Sequence, residues 1–215
     1  MTTPGQLPLV IGHRGFAARF PDNTRAGVAA ALAAGADGVE VDVRPCSEGV
    51  WICHHDRTRA GRPVAEWQVG ALRAAGVPTL AEVTAAVSAD RWLFVEVKPL
   101  ASETLLELVD PLAHLLAGRL ERTLLLSSSL GVLGGLAVAM PRAVRSWVID
   151  RIPDAVPPGL ALSPKHTLVE RLIGSGLPLH PWTVNRERRI GELARIGVAS
   201  ITSNRPDLAR EVLGG

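Results

Sequence analysis

Short runs of β-branched and aliphatic residues alternate with longer alanine- and leucine-rich stretches along almost the whole chain, and no other feature limits its folding options as much. Runs that are apolar on both faces fit strands of a parallel sheet, and each parallel step needs a crossover. The spacing predicts strands over residues 7–13, 38–43, 50–54, 92–97, 123–127, 143–149, 160–163, 178–184 and 199–202. Helices fit between most of these, over 23–34, 80–87, 101–120, 130–139, 167–174, 186–196 and 206–213. The second and third strands are joined only by Pro45-Cys46-Ser47-Glu48-Gly49, too short for a crossover helix, so this pair is expected to be antiparallel or a bent continuation. The proline-rich link 151–159 has little helical pattern, so one crossover is expected to lack its helix. A closed TIM (β/α)8 barrel is the economical solution. An open doubly wound sheet is the alternative, weakened because no GxGxxG follows the first strand. At 215 residues, one domain spanning 1–215 suffices.

The 23 basic and 21 acidic residues are spread along the sequence, which leaves no basic stripe for nucleic acid and is compatible with a small anionic substrate. The longest apolar runs, 26–36 and 130–140, are about half the ~20 residues a membrane helix needs, so stable membrane insertion is not expected. The first residues lack the basic start and apolar stretch of a secretory signal, and a cytoplasmic location is expected, with Cys46 and Cys53 as reduced thiols. No feature of the sequence marks an oligomeric state.

The chemistry is concentrated in a few places. In Gly38-Val39-Glu40-Val41-Asp42-Val43, the two-residue period of a strand sends Glu40 and Asp42 to one face and the valines to the other. Two carboxylates on one inward face repel, and a hard divalent ion, Mg2+ or Ca2+ with Mn2+ as a further candidate, relieves the repulsion. Val95-Glu96-Val97-Lys98 repeats the device, so that Glu96 would complete a three-carboxylate metal site and Lys98 would hold a phosphate oxygen. The alternative for each pair is an exposed strand with solvated charges. His13 and His55 end two predicted strands, where an imidazole can move a proton near neutral pH. A lone histidine is more often a buried or merely solvated side chain, as His54 is read here, but two at strand ends beside the acidic pairs favour catalysis. A zinc cluster of Cys46, Cys53, His54 and His55 has no standard spacing. Trp182, at a late strand end, forms either a pocket wall or part of the core. Ser127-Ser128-Ser129 lacks the GxSxG elbow and reads as a polar strand end lining a site. Histidines, cations and a carboxylate triad together meet the needs of metal-assisted phosphate-ester cleavage.

The ordered segments His13-Arg14-Gly15, Pro21-Asp22-Asn23-Thr24, Gly35 to Val43, His55-Asp56, Pro78 to Val83, Glu96-Val97-Lys98 and Trp182-Thr183-Val184-Asn185 resemble the glycerophosphodiester phosphodiesterase family. The resemblance implies a TIM barrel, a divalent metal on Glu40, Asp42 and Glu96, an acid/base pair of His13 and His55, and phosphate contacts from Arg14 and Lys98. It implies hydrolysis of a small-molecule phosphodiester to sn-glycerol 3-phosphate and an alcohol, with a lysophospholipase D-like activity or a non-catalytic binding relative as alternatives. Asp22 stands where the family usually has Glu, Asn204 where it commonly has Asp, and Ser128-Ser129 where a serine-phenylalanine pair is typical. The stretch between Asp56 and Pro78 is a shortened version of the family's capping insertion and implies a wider mouth.

Overall fold

The structure is a computed structural model that describes residues 7–214. β1 (Leu9–Gly12), α1 (Arg25–Ala33) and β2 (Gly38–Pro45) form the first unit, and β2 turns back into the antiparallel strand β3 (Trp51–Cys53), as the short connection requires. The segment between Asp56 and Pro78 builds a ribbon of β4 (Thr58–Arg59) and β5 (Arg62–Pro63) and the helix α2 (Val69–Ala74) before α3 (Leu80–Ala86) leads to β6 (Trp92–Val97). There follow α4 (Ser102–Leu116), β7 (Thr123–Ser127), α5 (Leu130–Ala139), β8 (Val144–Ile149), β9 (Leu160–Pro164), α6 (Val169–Leu172), α7 (Glu187–Ile196), β10 (Ser200–Ser203) and α8 (Pro206–Val212). The link between β8 and β9 has no helix.

Seven strands run in the order β10-β1-β2-β6-β7-β8-β9, every neighbouring pair parallel. Residues 178–184 take the eighth place and close the barrel. The His180 and Trp182 N–H groups donate to Leu162 and Pro164 of β9, and Leu179 and Pro181 carbonyls accept from Ala199 and from Thr202 of β10. This segment was expected to be a regular strand and instead makes only isolated bridges, Leu162 to Leu179 and Lys165 to Trp182. Pro178 and Pro181 have no N–H to give, which breaks the ladder without opening the barrel.

Alternation along the strands separates two environments. Val39, Val41, Val43, Leu93, Val95, Val97, Leu125 and Ile201 face outward into the main core shared with the helices. Ile11, Phe94, Leu124 and Leu126 face inward and fill the barrel. The expected helix 167–174 is short turns around α6, and the segment between Asp56 and Pro78 packs on a small core of Cys46, Ile52, Val64, Leu72 and Val77. Both cysteines are free and buried. No helix among the described residues is long and apolar enough to cross a membrane.

Candidate active site

The chain leaves β1 through His13-Arg14-Gly15 and turns at once towards α1, whose N-terminus is capped by Thr24. Gly15 has φ +84°, and a Cβ there would lie 2.6 Å from the Gly27 carbonyl carbon, so only glycine fits. Arg14 also has a positive φ, 51°, a conformation that costs a non-glycine residue about 1–3 kcal/mol. Its surroundings hold it there. The Arg14 N–H donates to Glu40 Oε2 at 3.0 Å, and its carbonyl accepts from the Asn23 N–H at 3.0 Å. The guanidinium reaches Asp22 at 2.7 Å and Asp42 at 3.1 Å, so the short Asp22 side chain still makes its ion pair.

His13 lies with Nδ1 2.6 Å from Asn204 Oδ1 and Nε2 3.9 Å from Glu40 Oε2. Burial, reinforced by the Arg14 charge, lowers its pKa to about 4, so the ring is neutral at pH 7. With Asn204 Oδ1 as acceptor, the proton sits on Nδ1 and the Nε2 lone pair faces the acidic groups.

Asp42 and Glu96 are register partners on β2 and β6, and oxygens of Glu40, Asp42 and Glu96 lie within 4.8 Å of one another. Lys98 Nζ sits between two of them, 2.6 Å from Asp42 Oδ1 and 2.8 Å from Glu96 Oε1. Burial opposes ionisation of Asp42, but Lys98, Arg14 and a 2.9 Å hydrogen bond from the Asn23 amide outweigh it and hold the carboxyl below its usual range. Glu40 goes the other way, pushed well up by burial and by the neighbouring Asp42 and Glu96 charges. Its Oε1 is buried with no partner. An orphaned carboxylate oxygen beside two more carboxylates fits a hard cation with oxygen ligands. Among the described residues these three form the only such acidic, histidine or cysteine group, and the zinc alternative does not assemble.

These groups open onto a cavity of about 310 Å³. His55 stands at its edge, its side chain 41% exposed and Nδ1 2.8 Å from Asp56 Oδ1. Trp182 lines it too, and its indole N–H is already donated to the Ser163 carbonyl at 2.7 Å, so the ring offers an apolar wall. Of the serine run only Ser128 lines the cavity, because Ser127 bonds the Val97 carbonyl and Ser129 caps α5.

The sequence profile of the glycerophosphoryl diester phosphodiesterase family matches residues 13–107 and 112–208. The chain belongs to this family. A Mycobacterium tuberculosis (strain ATCC 25618 / H37Rv) protein named "Probable glycerophosphodiester phosphodiesterase 1" is 50% identical over 50 residues, 23% of this chain and 18% of that protein. A glycerophosphodiester phosphodiesterase of Caldanaerobacter subterraneus subsp. tengcongensis is 44% identical over 50 residues, 23% of this chain and 21% of that protein. The aligned stretch thus spans less than a quarter of either relative. Among solved structures, an Oleispira antarctica phosphodiesterase in complex with the product sn-glycerol-3-phosphate superposes with a TM-score of 0.85 at 21% identity, covering 97% of this chain and 98% of that one. The Thermotoga maritima glycerophosphodiester phosphodiesterase gives 0.81 at 20% identity, covering 96% and 99%. At such identities the likeness carries the barrel fold.

Within this family member, His13, Arg14, Glu40, His55, Glu96, Lys98 and Trp182 all line one cavity, with Asp42 held behind Arg14 and Lys98. Lys98 was expected to hold a phosphate oxygen; its ammonium is instead engaged by Asp42 and Glu96, because the neighbouring strand brings Asp42, and its own strand Glu96, within ion-pair distance. Three residues gain roles the sequence did not assign: Asn23, which brackets Asp42; Asn204, which orients His13; and His180, on the cavity wall. Asn23 adopts φ 60°, a conformation asparagine tolerates better than most residues. His180 was legible in principle, since the period of two that turns Trp182 inward turns His180 inward as well.

Proposed function

We propose that the chain is a divalent-metal-dependent phosphodiesterase that hydrolyses glycerophosphodiesters to sn-glycerol 3-phosphate and an alcohol. The observation that carries this reading is the convergence of His13, His55, Arg14 and the carboxylate group on one cavity. Glu40, Asp42 and Glu96 would hold Mg2+, Ca2+ or Mn2+, and such an ion, when bound, acts as a Lewis acid on a phosphoryl oxygen. The remaining work falls to side chains. Arg14, fixed by Asp22 and Asp42, offers its exposed edge to a phosphate oxygen, and Lys98 balances the acidic charge beside it. His13, neutral with its lone pair on Nε2, takes the proton of the attacking hydroxyl. His55, oriented through Nδ1 by Asp56, donates a proton to the departing alcohol; the His55 hydrogen bond keeps the Asp56 carboxyl below its usual range.

The cavity is at the small end of ligand pockets and suits a glycerophosphate-sized group. An adjoining trough of about 720 Å³ shares Ser128, Val148 and Asp150 with it and gives the alcohol room outside the cavity; in a second reading that alcohol belongs to a lysophospholipid. Hydrolysis of glycerophosphocholine, glycerophosphoethanolamine and lysophosphatidylcholine, compared in Mg2+, Mn2+ and Ca2+, separates the two. We expect turnover of the glycerophosphodiesters, lost in Glu40→Ala. Absence of turnover with every diester and ion would refute the enzyme.

A further inference from the structure

One inward-facing group is used by neither the metal site nor the proton-transfer pair. His180 stands on the wall of the cavity, two residues before Trp182 in the barrel-closing segment. Its ring meets Phe94 edge-on, with centroids 5.6 Å apart at 83°, and its Nδ1 lies 2.9 Å from Ser200 Oγ. Both contacts come from inside the barrel, so the ring is fixed on two sides. Burial alone lowers its pKa to about 4, and the imidazole is neutral at physiological pH. Nε2 has no hydrogen-bond partner among the described residues, yet it is not among the sealed, unpartnered polar atoms. The open space beside this ring is the cavity, whose apolar lining is Leu126, Val148 and Trp182. A neutral imidazole nitrogen held rigidly on the wall of a cavity is a specific receptor for one hydroxyl, because leaving it unpaired once a substrate excludes water costs its desolvation.

We propose that His180 is a specificity-determining residue that reads a hydroxyl of the substrate's glycerol arm through Nε2, while Leu126, Val148 and Trp182 cover the carbon edge of that arm. The inference rests on the phosphodiesterase reading above and names the group that selects its substrate class. It predicts discrimination of a particular kind. A site built to pair a hydroxyl rejects an analogue lacking it more strongly than an apolar pocket rejects a change of size.

The test pairs a substrate change with a residue change. Glycerophosphocholine and its analogue with the terminal glycerol hydroxyl replaced by hydrogen are compared in the metal-loaded wild type, His180→Phe and His180→Gln. We expect the wild type to prefer the hydroxyl by about 10⁴-fold in kcat/KM, His180→Phe to erase the preference, and His180→Gln to restore part of it. A merely structural role lowers both substrates equally in His180→Phe, and that result, or a wild type without preference, overturns the proposal. Calorimetric binding of sn-glycerol 3-phosphate against its deoxy analogue gives the same comparison without turnover. If no diester is cleaved but binding shows a His180-dependent hydroxyl preference, the phosphodiesterase reading fails and the role of His180 stands. Cleavage without a hydroxyl preference has the opposite meaning.

Discussion

On β1, β2 and β6 the inward residues Ile11, Gly38 and Phe94 close the barrel interior, whereas His13, Glu40 and Glu96, two residues further along the same chain segments, face the cavity with charge and proton-transfer groups. The backbone geometry of the two rungs is alike; their surroundings are not. The lower rung packs among Leu124, the Trp92 ring and the inner side of the His180 ring, whose other side faces the cavity. The upper rung lines the cavity, with Glu40 Oε1 buried beneath it without a partner and His13 Nε2 free of any protein donor. A parallel barrel therefore places stability and chemistry one strand period apart, and a substitution should show which rung it belongs to.

The largest expected contrast is between activity and folding. His13→Ala should lower kcat by about 10²–10⁴-fold, and urea denaturation should show little change in stability. Phe94→Ala should do the reverse, costing about 3–5 kcal/mol in the same denaturation experiment through the cavity it leaves beneath His180. If Phe94→Ala were as stable as the wild type, the lower rung would not be a packed layer. A divalent ion should act on the upper rung alone. At a hundredfold excess over its dissociation constant it should stabilise the wild type by about 2.7 kcal/mol, read as a thermal shift, and Glu40→Gln should weaken that response.

The smallest effect concerns pH and falls on His180, which packs on the lower rung and faces the cavity above it. Unfolded His180 takes up its proton near 6.5, but in the fold burial holds its pKa to about 4. Between those values the unfolded chain binds more protons, so stability falls as pH drops through this window. His180→Phe should remove about 2 kcal/mol of the loss measured between pH 7 and pH 5. An unchanged pH slope would place His180 in contact with bulk water.

Much of this contrast was legible along the chain. The parity of Gly38 to Val43 and of Trp92 to Val97 turns acids inward and valines outward, and the structure follows it. The parallel order, the antiparallel return into β3 and the missing helix after β8 also follow from local pattern. What stayed hidden was long-range or depended on lost hydrogen bonds. Asn204 meets His13 across 191 residues of sequence, a partnership that closure of the barrel creates. Lys98 turns to Asp42 because the neighbouring strand delivers a buried carboxylate to it. The ribbon β4–β5 and helix α2 are too short to give a period, and the prolines of 178–184 thin a strand whose apolar pattern reads as continuous.

The most direct measurement is the release of sn-glycerol 3-phosphate from glycerophosphocholine by the wild-type protein as Mg2+, Mn2+ or Ca2+ is titrated into metal-stripped enzyme. Release that rises to saturation with at least one ion, and stops on chelation, is the predicted result. No release at any ion concentration, or release indifferent to chelator, would contradict the assignment of Glu40, Asp42 and Glu96 as the metal-binding heart of a phosphodiesterase.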